Sequence, residues 1–467
     1  MKVAVIGGGI LGIALSKGLA GKGHAVTLFE AGEELGGLCG SRDYGPFQWD
    51  RFYHCILPQD RTLLRWIEDL GLEGRIRWRR TGQGYWAGGT CHPMNGIGDY
   101  LRFPLLGLGG KFRLAWSVFR ARLLRSPEGL HDLSARDWLV STCGKAVYEV
   151  FWKPLLQAKF GPFADEVAAV FLWATMRRLF GARSRTDHRE RLGYVSGGYA
   201  GVLRRAERDL ERVSVRILKG AEVLELHEER RVSSSRRETS RPSCRVRFRG
   251  TGGIETGEEV FEHAIFTGPT PLARRIARGK LEESVRSFER NHPSGTTMLG
   301  VVNLSLVLRR RLTPFYILNL GAQDSGLTGV IELTNLLDPE EETAGLHLVH
   351  LPRYLPEEDP FFDLEDGEVF SLMFEKGIRR LFPSLERKAV VAWAVDRARR
   401  VQPLPLAGSR PGSPETSLSW KPPFQILNPS LLECATLHND EVLRLADRFL
   451  EAGPKNGIFP PFPPTSP

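Results

Sequence analysis

The feature that most constrains this chain is its opening stretch, KVAVIGGGILGIALSKGLAGKGHAVTLFE. Four apolar residues, Val3 to Ile6, run into Gly7, Gly9 and Gly12 in G-x-G-x-x-G spacing. Ile10, Ile13, Ala14 and Leu15 continue as an apolar helix, and Ala25 to Phe29 reads as a second strand ending at Glu30. Each piece has a physical task. Gly7 permits the tight turn, Gly9 lets the backbone approach a pyrophosphate, and Gly12 allows close helix–strand packing. The helix N-terminus, with Gly8, Ile10 and Leu11 around it, offers free N–H groups and a positive dipole end to phosphates. Glu30, 18 residues past Gly12 and followed by Ala31, is placed to accept hydrogen bonds from a ribose diol. The unit binds a dinucleotide. An acidic Glu30 disfavours a 2′-phosphate, which argues against NADP and leaves NAD and FAD open.

Composition narrows the class. At about 150 residues per domain, 467 residues allow two to three domains. A 42% hydrophobic chain with 25 Phe and 10 Trp has ample material for a core, so wholesale disorder is excluded. No apolar run approaches the roughly 20 residues that span a bilayer. Met1 and one Lys lead straight into a strand without a basic and apolar leader, so a cytoplasmic protein is expected. The six Cys lie scattered without a CxxC pair and read as free thiols. A net charge of +9 comes without a zinc-finger or RNP signature, so nucleic acid is not the expected partner. The charge fits an anionic cofactor, an anionic surface or solubility alone. The 11 His show no metal-ligand or Ser–His–Asp spacing, so neither a metal nor hydrolase chemistry is expected.

Residues 101–180 are Trp-rich and mainly helical, and short alternating segments follow around Val215, Glu222 to Leu226, Val246 and Ala264 to Gly268. Glu228 to Ser243 is charged and Ser-rich and reads as an exposed loop. Six prolines among the last fifteen residues make a disordered tail the expectation. Strands at both ends around a helical insert indicate an α/β sheet domain assembled from separated pieces.

A second glycine doublet, Gly36-Gly37, stands six residues beyond Glu30 and continues as Leu38-Cys39-Gly40-Ser41. With that doublet, the opening resembles the FAD-binding start of the amine oxidase, phytoene desaturase and protoporphyrinogen oxidase superfamily. Asp50 to Ile56 (DRFYHCI), Phe151 to Gly161 (FWKPLLQAKFG), Tyr194 to Gly198 (YVSGG) and Val330 to Asn335 (VIELTN) resemble its bacterial protoporphyrinogen-oxidase-like branch. The similarity extends to about Pro403. The resemblance implies a discontinuous, doubly wound, Rossmann-like FAD-binding domain with a second α+β substrate domain and a helical insert. Its expected parts are FAD-binding segments 1–90, 193–275 and 401–452, a helical insert at 91–192, a substrate domain at 276–400 and a tail at 453–467. It also implies non-covalent FAD, with Gly36, Gly37 and Leu38 near the pyrophosphate and flavin. Val223 would lie by the adenine, and Thr267-Gly268 would close the crevice. The implied activity is hydride transfer from a small-molecule substrate to the flavin. A flavin-dependent isomerase of the UDP-galactopyranose mutase type, and a flavin binder without turnover, are the rivals. Past Pro403 the chain departs from the family pattern, because LNPSLLECATLHNDEVLRLAD lacks the usual glycines.

Two side chains are the candidate catalytic groups. His54 has an ordinary pKa near 6.5, which suits proton transfer in either direction. Lys159 could hold a water near the flavin or pair with an acidic substrate. In the last helix, Asn439 is the expected N-cap, with Asp440 and Glu441 facing either the flavin or water. In Lys111 to Arg125, Phe112, Trp116, Phe119 and Leu123 share one face among five cations. Packing of that face on its own domain is the expected arrangement. A peripheral contact with the inner membrane face, and with it a hydrophobic substrate, is the alternative.

Overall fold

A computed structural model describes residues 1–181, 190–230, 242–250, 256–321, 325–409, 418–432, 434 and 436–453. The first strand, Lys2–Ile6, is apolar without alternation because both of its faces are covered. Val3 and Val5 point into a helical layer, while Ala4 and Ile6 point into a second core on the other side. This strand sits at the centre of a five-stranded parallel sheet. The order is Phe424–Ile426, His263–Phe266, Lys2–Ile6, Ala25–Phe29 and Arg216–Leu218. The helices Ile10–Gly21, Arg61–Asp69, Gly198–Arg212 and Asn439–Glu451 contribute the core on one face. A three-stranded antiparallel sheet (Glu222–Arg230, Pro242–Arg249, Thr256–Phe261) and the helices Thr270–Ile276 and Lys280–Asn291 cover the other. The α/β, discontinuous, doubly wound arrangement is therefore present.

The second unit is a seven-stranded mixed sheet. Its longest fully buried strand, Met298–Leu308, lies second from one edge and pairs antiparallel with both His347–Pro356 and Val390–Pro403. The hairpin Gln83–Ala87 and Thr90–Pro93 closes the far edge of this sheet. The division expected at residue 90 therefore falls inside a hairpin of the seven-stranded sheet. Between the two units, the helices from Ile97–Arg102 to Ala169–Gly181 form the expected insert around their own aromatic core.

Of three further sequence expectations, two change and one falls outside the described residues. The loop expected over Glu228 to Ser243 is strand at both ends, where Glu229 pairs with Ser243 and Arg230 with Pro242; its middle, 231–241, lies outside the described residues. The tail expectation falls on 454–467, also outside them. The third concerns the amphipathic segment, which forms the helix Leu108–Leu123. It buries Leu114, Ser117 and Ala121 and leaves Phe112, Trp116, Phe119 and Leu123 exposed, so the apolar face is not packed on its own domain. Among the described residues no helix is long and apolar enough to cross a membrane.

Candidate active site

The glycine loop is built as its spacing requires. A Cβ on Gly12 would lie 1.9 Å from the Gly7 carbonyl oxygen, so the helix can lie this close to the strand only with glycine there. Gly36 has φ +124°, and its N–H donates to the Gly8 carbonyl at 2.8 Å, which brings the second doublet against the first loop. At the end of the second strand the Glu30 carboxylate accepts from the Gly8 N–H at 2.6 Å and the Gly32 N–H at 2.7 Å. These bonds fix the carboxylate while leaving acceptor capacity for hydroxyl groups.

One cavity of about 950 Å³ runs from this loop to the seven-stranded sheet. Gly7, Gly9, Ile10, Leu11, Glu30, Ala31, Gly36, Gly37 and Leu38 line one end, together with Val223, Thr267 and Gly268. His54, Lys159 and Asn439 line it as well. Gly8 and Gly12 do not; Gly8 acts through its bond to Glu30 and Gly12 through packing. A site of this volume lies at the top of the range for small-molecule pockets, about 300–1,000 Å³, and suits a dinucleotide with a substrate beside it. A Cβ at Gly9 would meet nothing within 4 Å, so the loop backbone is open to a close-lying pyrophosphate. The residues present fit a flavin dinucleotide.

Cys39, His54 and Asn439 of the cavity wall belong to a cluster that the sequence reading did not assemble. His54 Nε2 lies 3.5 Å from Cys39 Sγ, and Nδ1 lies 3.7 Å from the Asp50 carboxylate. Asp50 also accepts from the Tyr199 N–H at 2.9 Å. Asn439 Nδ2 donates to the Tyr199 hydroxyl at 2.9 Å and approaches Cys39 Sγ at 3.4 Å. Burial by itself lowers the His54 pKa, but the Cys39 sulfur and the Asp50 carboxylate outweigh it and hold the imidazole at about 10. Both neighbours thus favour the protonated form of His54 over the even poise of an ordinary histidine. The signal that could have found this cluster was Cys39 itself, inside the glycine doublet segment.

Lys159 projects from the helix Lys153–Phe160 toward the rings of Phe171 at 5.1 Å, Tyr354 at 5.2 Å and Phe160 at 5.8 Å. Burial among these rings lowers its pKa to about 8. The Tyr354 and Tyr53 hydroxyls meet at 3.1 Å beside it.

The last helix corrects two expectations. Its N-cap is His438, and Asn439 is the first helical residue, with its side chain turned into the cavity cluster. Asp440 faces neither the cavity nor water. It is 1% exposed and accepts from the Thr62 and Leu63 N–H groups at 2.7 and 3.0 Å, capping the helix Arg61–Asp69, and it pairs with Arg444. Glu441 accepts from the Thr436 hydroxyl at 2.6 Å and, like Asp440, does not line the cavity. Asp60, His438 and Asp440 bring ligand-type atoms within 4.8 Å of one another. The two carboxylates are already held by backbone N–H groups and by Arg178 and Arg444, whose charges oppose a cation there.

Comparison with known proteins agrees with this geometry. The profile of the family described as flavin containing amine oxidoreductase matches residues 12–399. Among solved structures, the chain is similar to a protein of Exiguobacterium sp. 255-15 provisionally named a protoporphyrinogen oxidase. The TM-score is 0.69 at 16% identity, covering 97% of this chain and 98% of that one. Reduced UDP-galactopyranose mutase gives a TM-score of 0.67 at 13% identity, with 96% and 94% covered. Wild-type putrescine oxidase bound to putrescine gives 0.63 at 16%, with 96% and 98% covered. At such identities the structural likeness shows the shared fold alone, and it does not separate oxidoreductase from isomerase.

Proposed function

The chain belongs to the flavin containing amine oxidoreductase family and is a flavin-dependent oxidoreductase; we propose that its cofactor is FAD, bound without a covalent link, and that its substrate is a neutral or anionic small molecule. The observation that carries the cofactor reading is the single cavity joining the glycine loop and Glu30 at one end to His54 and Lys159 at the other. A mononucleotide would leave Glu30 without a ribose diol to bind. The chemistry that FAD would supply there when bound is oxidation, as an acceptor for hydride from a substrate C–H bond.

The chain's own residues bind and orient. The Gly9 turn and the N-terminus of the helix Ile10–Gly21 hold the pyrophosphate, and Glu30 holds the adenosine ribose. Cys39 and Asp50 on either side of His54 favour the protonated form of its ring, which lines the cavity. Phe171, Tyr354 and Met298 give the substrate end an apolar wall that excludes water. Lys159 adds positive charge there, while Arg178 is paired with Asp60; the acidic side chains lining the cavity among the described residues, Glu30 and Glu222, both stand near the glycine loop or the proposed adenine site. A cationic amine would meet repulsion at that end, and a carboxylate would meet Lys159.

Purified protein should be yellow, and acid precipitation should release the colour as a compound with the mass of FAD. Colourless protein that binds NAD, or release of FMN, overturns the cofactor reading. Bleaching of the bound flavin by apolar acids and not by diamines is the expected substrate pattern, and the reverse pattern overturns the charge argument.

A further inference from the structure

Nine large hydrophobic side chains stand conspicuously exposed among the described residues, and seven of them fall between 101 and 123. They are Leu101, Leu105, Leu108, Phe112, Trp116, Phe119 and Leu123, with Leu108 81% and Phe112 72% exposed. Five belong to the helix Leu108–Leu123. At about 100° per residue, those five fall within an arc of about 80°. The buried Leu114, Ser117 and Ala121 lie on the opposite side. A helix that packs its small residues inward and turns its aromatics outward reverses the usual pattern of a soluble protein.

The charges are placed with equal order. Lys111 and Arg122 flank one edge of the apolar strip, and Arg113 and Arg120 flank the other. Arg102 and Arg125 stand just beyond the two ends of the helix. No acidic residue occurs between Tyr100 and Ser126. None of these six cations makes an ion pair among the described residues. Lys111 instead donates to the Leu101 carbonyl at 2.6 Å, which holds the preceding turn against the helix. We propose that this face docks on an anionic lipid bilayer, the aromatic strip entering the acyl boundary and the flanking cations meeting the headgroups. Self-association through the same strip would set six cations against six, so a second copy of the chain is the poorer occupant. The patch also adjoins the active site. The helix Ala169–Gly181 donates from Trp173 and Arg177 to the Leu124 carbonyl, while its Phe171, Thr175 and Arg178 line the cavity.

Flotation of the holoenzyme with phosphatidylglycerol–phosphatidylcholine vesicles tests the proposal, with pure phosphatidylcholine vesicles as the comparison. Binding to the anionic vesicles alone is expected. It should fall by about tenfold or more when salt is raised from about 0.1 M to about 1 M, which shortens the screening length from about 10 Å to about 3 Å. Phe112→Ser with Trp116→Ser and Phe119→Ser should abolish flotation while leaving flavin content and circular dichroism unchanged, because all three side chains are exposed. Arg113→Glu with Arg120→Glu should abolish it as well. In brominated-lipid vesicles, part of the tryptophan quenching should disappear in Trp116→Phe. Failure to float, flotation untouched by the serine variant, or a dimer that the serine variant turns into a monomer overturns the proposal. Capture of an acidic protein by this face, without vesicle binding, overturns it too.

Discussion

Lys159→Met isolates the energetic consequence of placing an ammonium among aromatic rings. The lysine pKa falls from 10.5 to about 8 through burial. That is a drop of about 2.5 units, and at about 1.4 kcal/mol per unit the folded state bears about 3 kcal/mol for keeping the group charged. The side chain faces a cavity and is only partly shielded from solvent, which brings the expected gain on removing the charge to about 1–3 kcal/mol. The sign follows from proton binding. Between pH 8 and 10.5 the unfolded chain holds the proton more tightly, so this group's contribution improves as pH rises through that window and is most unfavourable below it. Urea unfolding should therefore find Lys159→Met more stable than the parent near neutral pH, with the gap closing as pH approaches 10.5. Substrate-driven bleaching should fall in the same variant while flavin content holds. A variant that is less stable near neutral pH, or a gap that does not vary with pH, refutes the reasoning, because only a charge penalty disappears on deprotonation.

Further outcomes follow from the same geometry. Glu30→Ala should weaken FAD binding by about 1.5–3 kcal/mol, the range for hydrogen bonds to a charged group, read by fluorescence titration of the apoprotein. Gly9→Ala should fold but load less flavin, since its Cβ would point into open space where the cofactor lies. Gly12→Ala should lose soluble folded protein, because its Cβ would stand 1.9 Å from a backbone oxygen. Asp440→Ala should cost about 1–3 kcal/mol of stability in urea unfolding by orphaning the N–H groups of Thr62 and Leu63. The same substitution should leave the flavin potential in place, and a shift of tens of millivolts would refute its structural role.

What could be read in advance was local. The turn at Gly7, the packing at Gly12 and the carboxylate of Glu30 are set by one contiguous strand–helix–strand unit, so spacing alone reveals them. The cluster around His54 was not legible, because Cys39 and Asn439 stand 400 residues apart and meet only when the last helix docks. Asp440 defeated a reading based on its own helix for the same reason, since it caps a helix 378 residues away. The segment Leu108–Leu123 shows a different limit. Periodicity identifies which face of a helix is apolar, whereas the direction of that face depends on what the rest of the chain places against it.

The scattering of the parallel sheet along the chain has a consequence for biosynthesis. Its central strand ends at Ile6, yet the edge strand Phe424–Ile426 and the helix Asn439–Glu451, which packs against Ile10–Gly21, emerge last. At about 5–20 residues per second, the ribosome takes about 20–80 s to cover that interval. Throughout it, the apolar flank of the first helix lacks its closing partner, and the wall that Asn439 provides has yet to be made. The cavity is thus completed only when the last helix docks, and until then that apolar flank is open to aggregation. Supplementing a culture with riboflavin would raise occupancy of finished molecules, whereas lowering the temperature would raise their number.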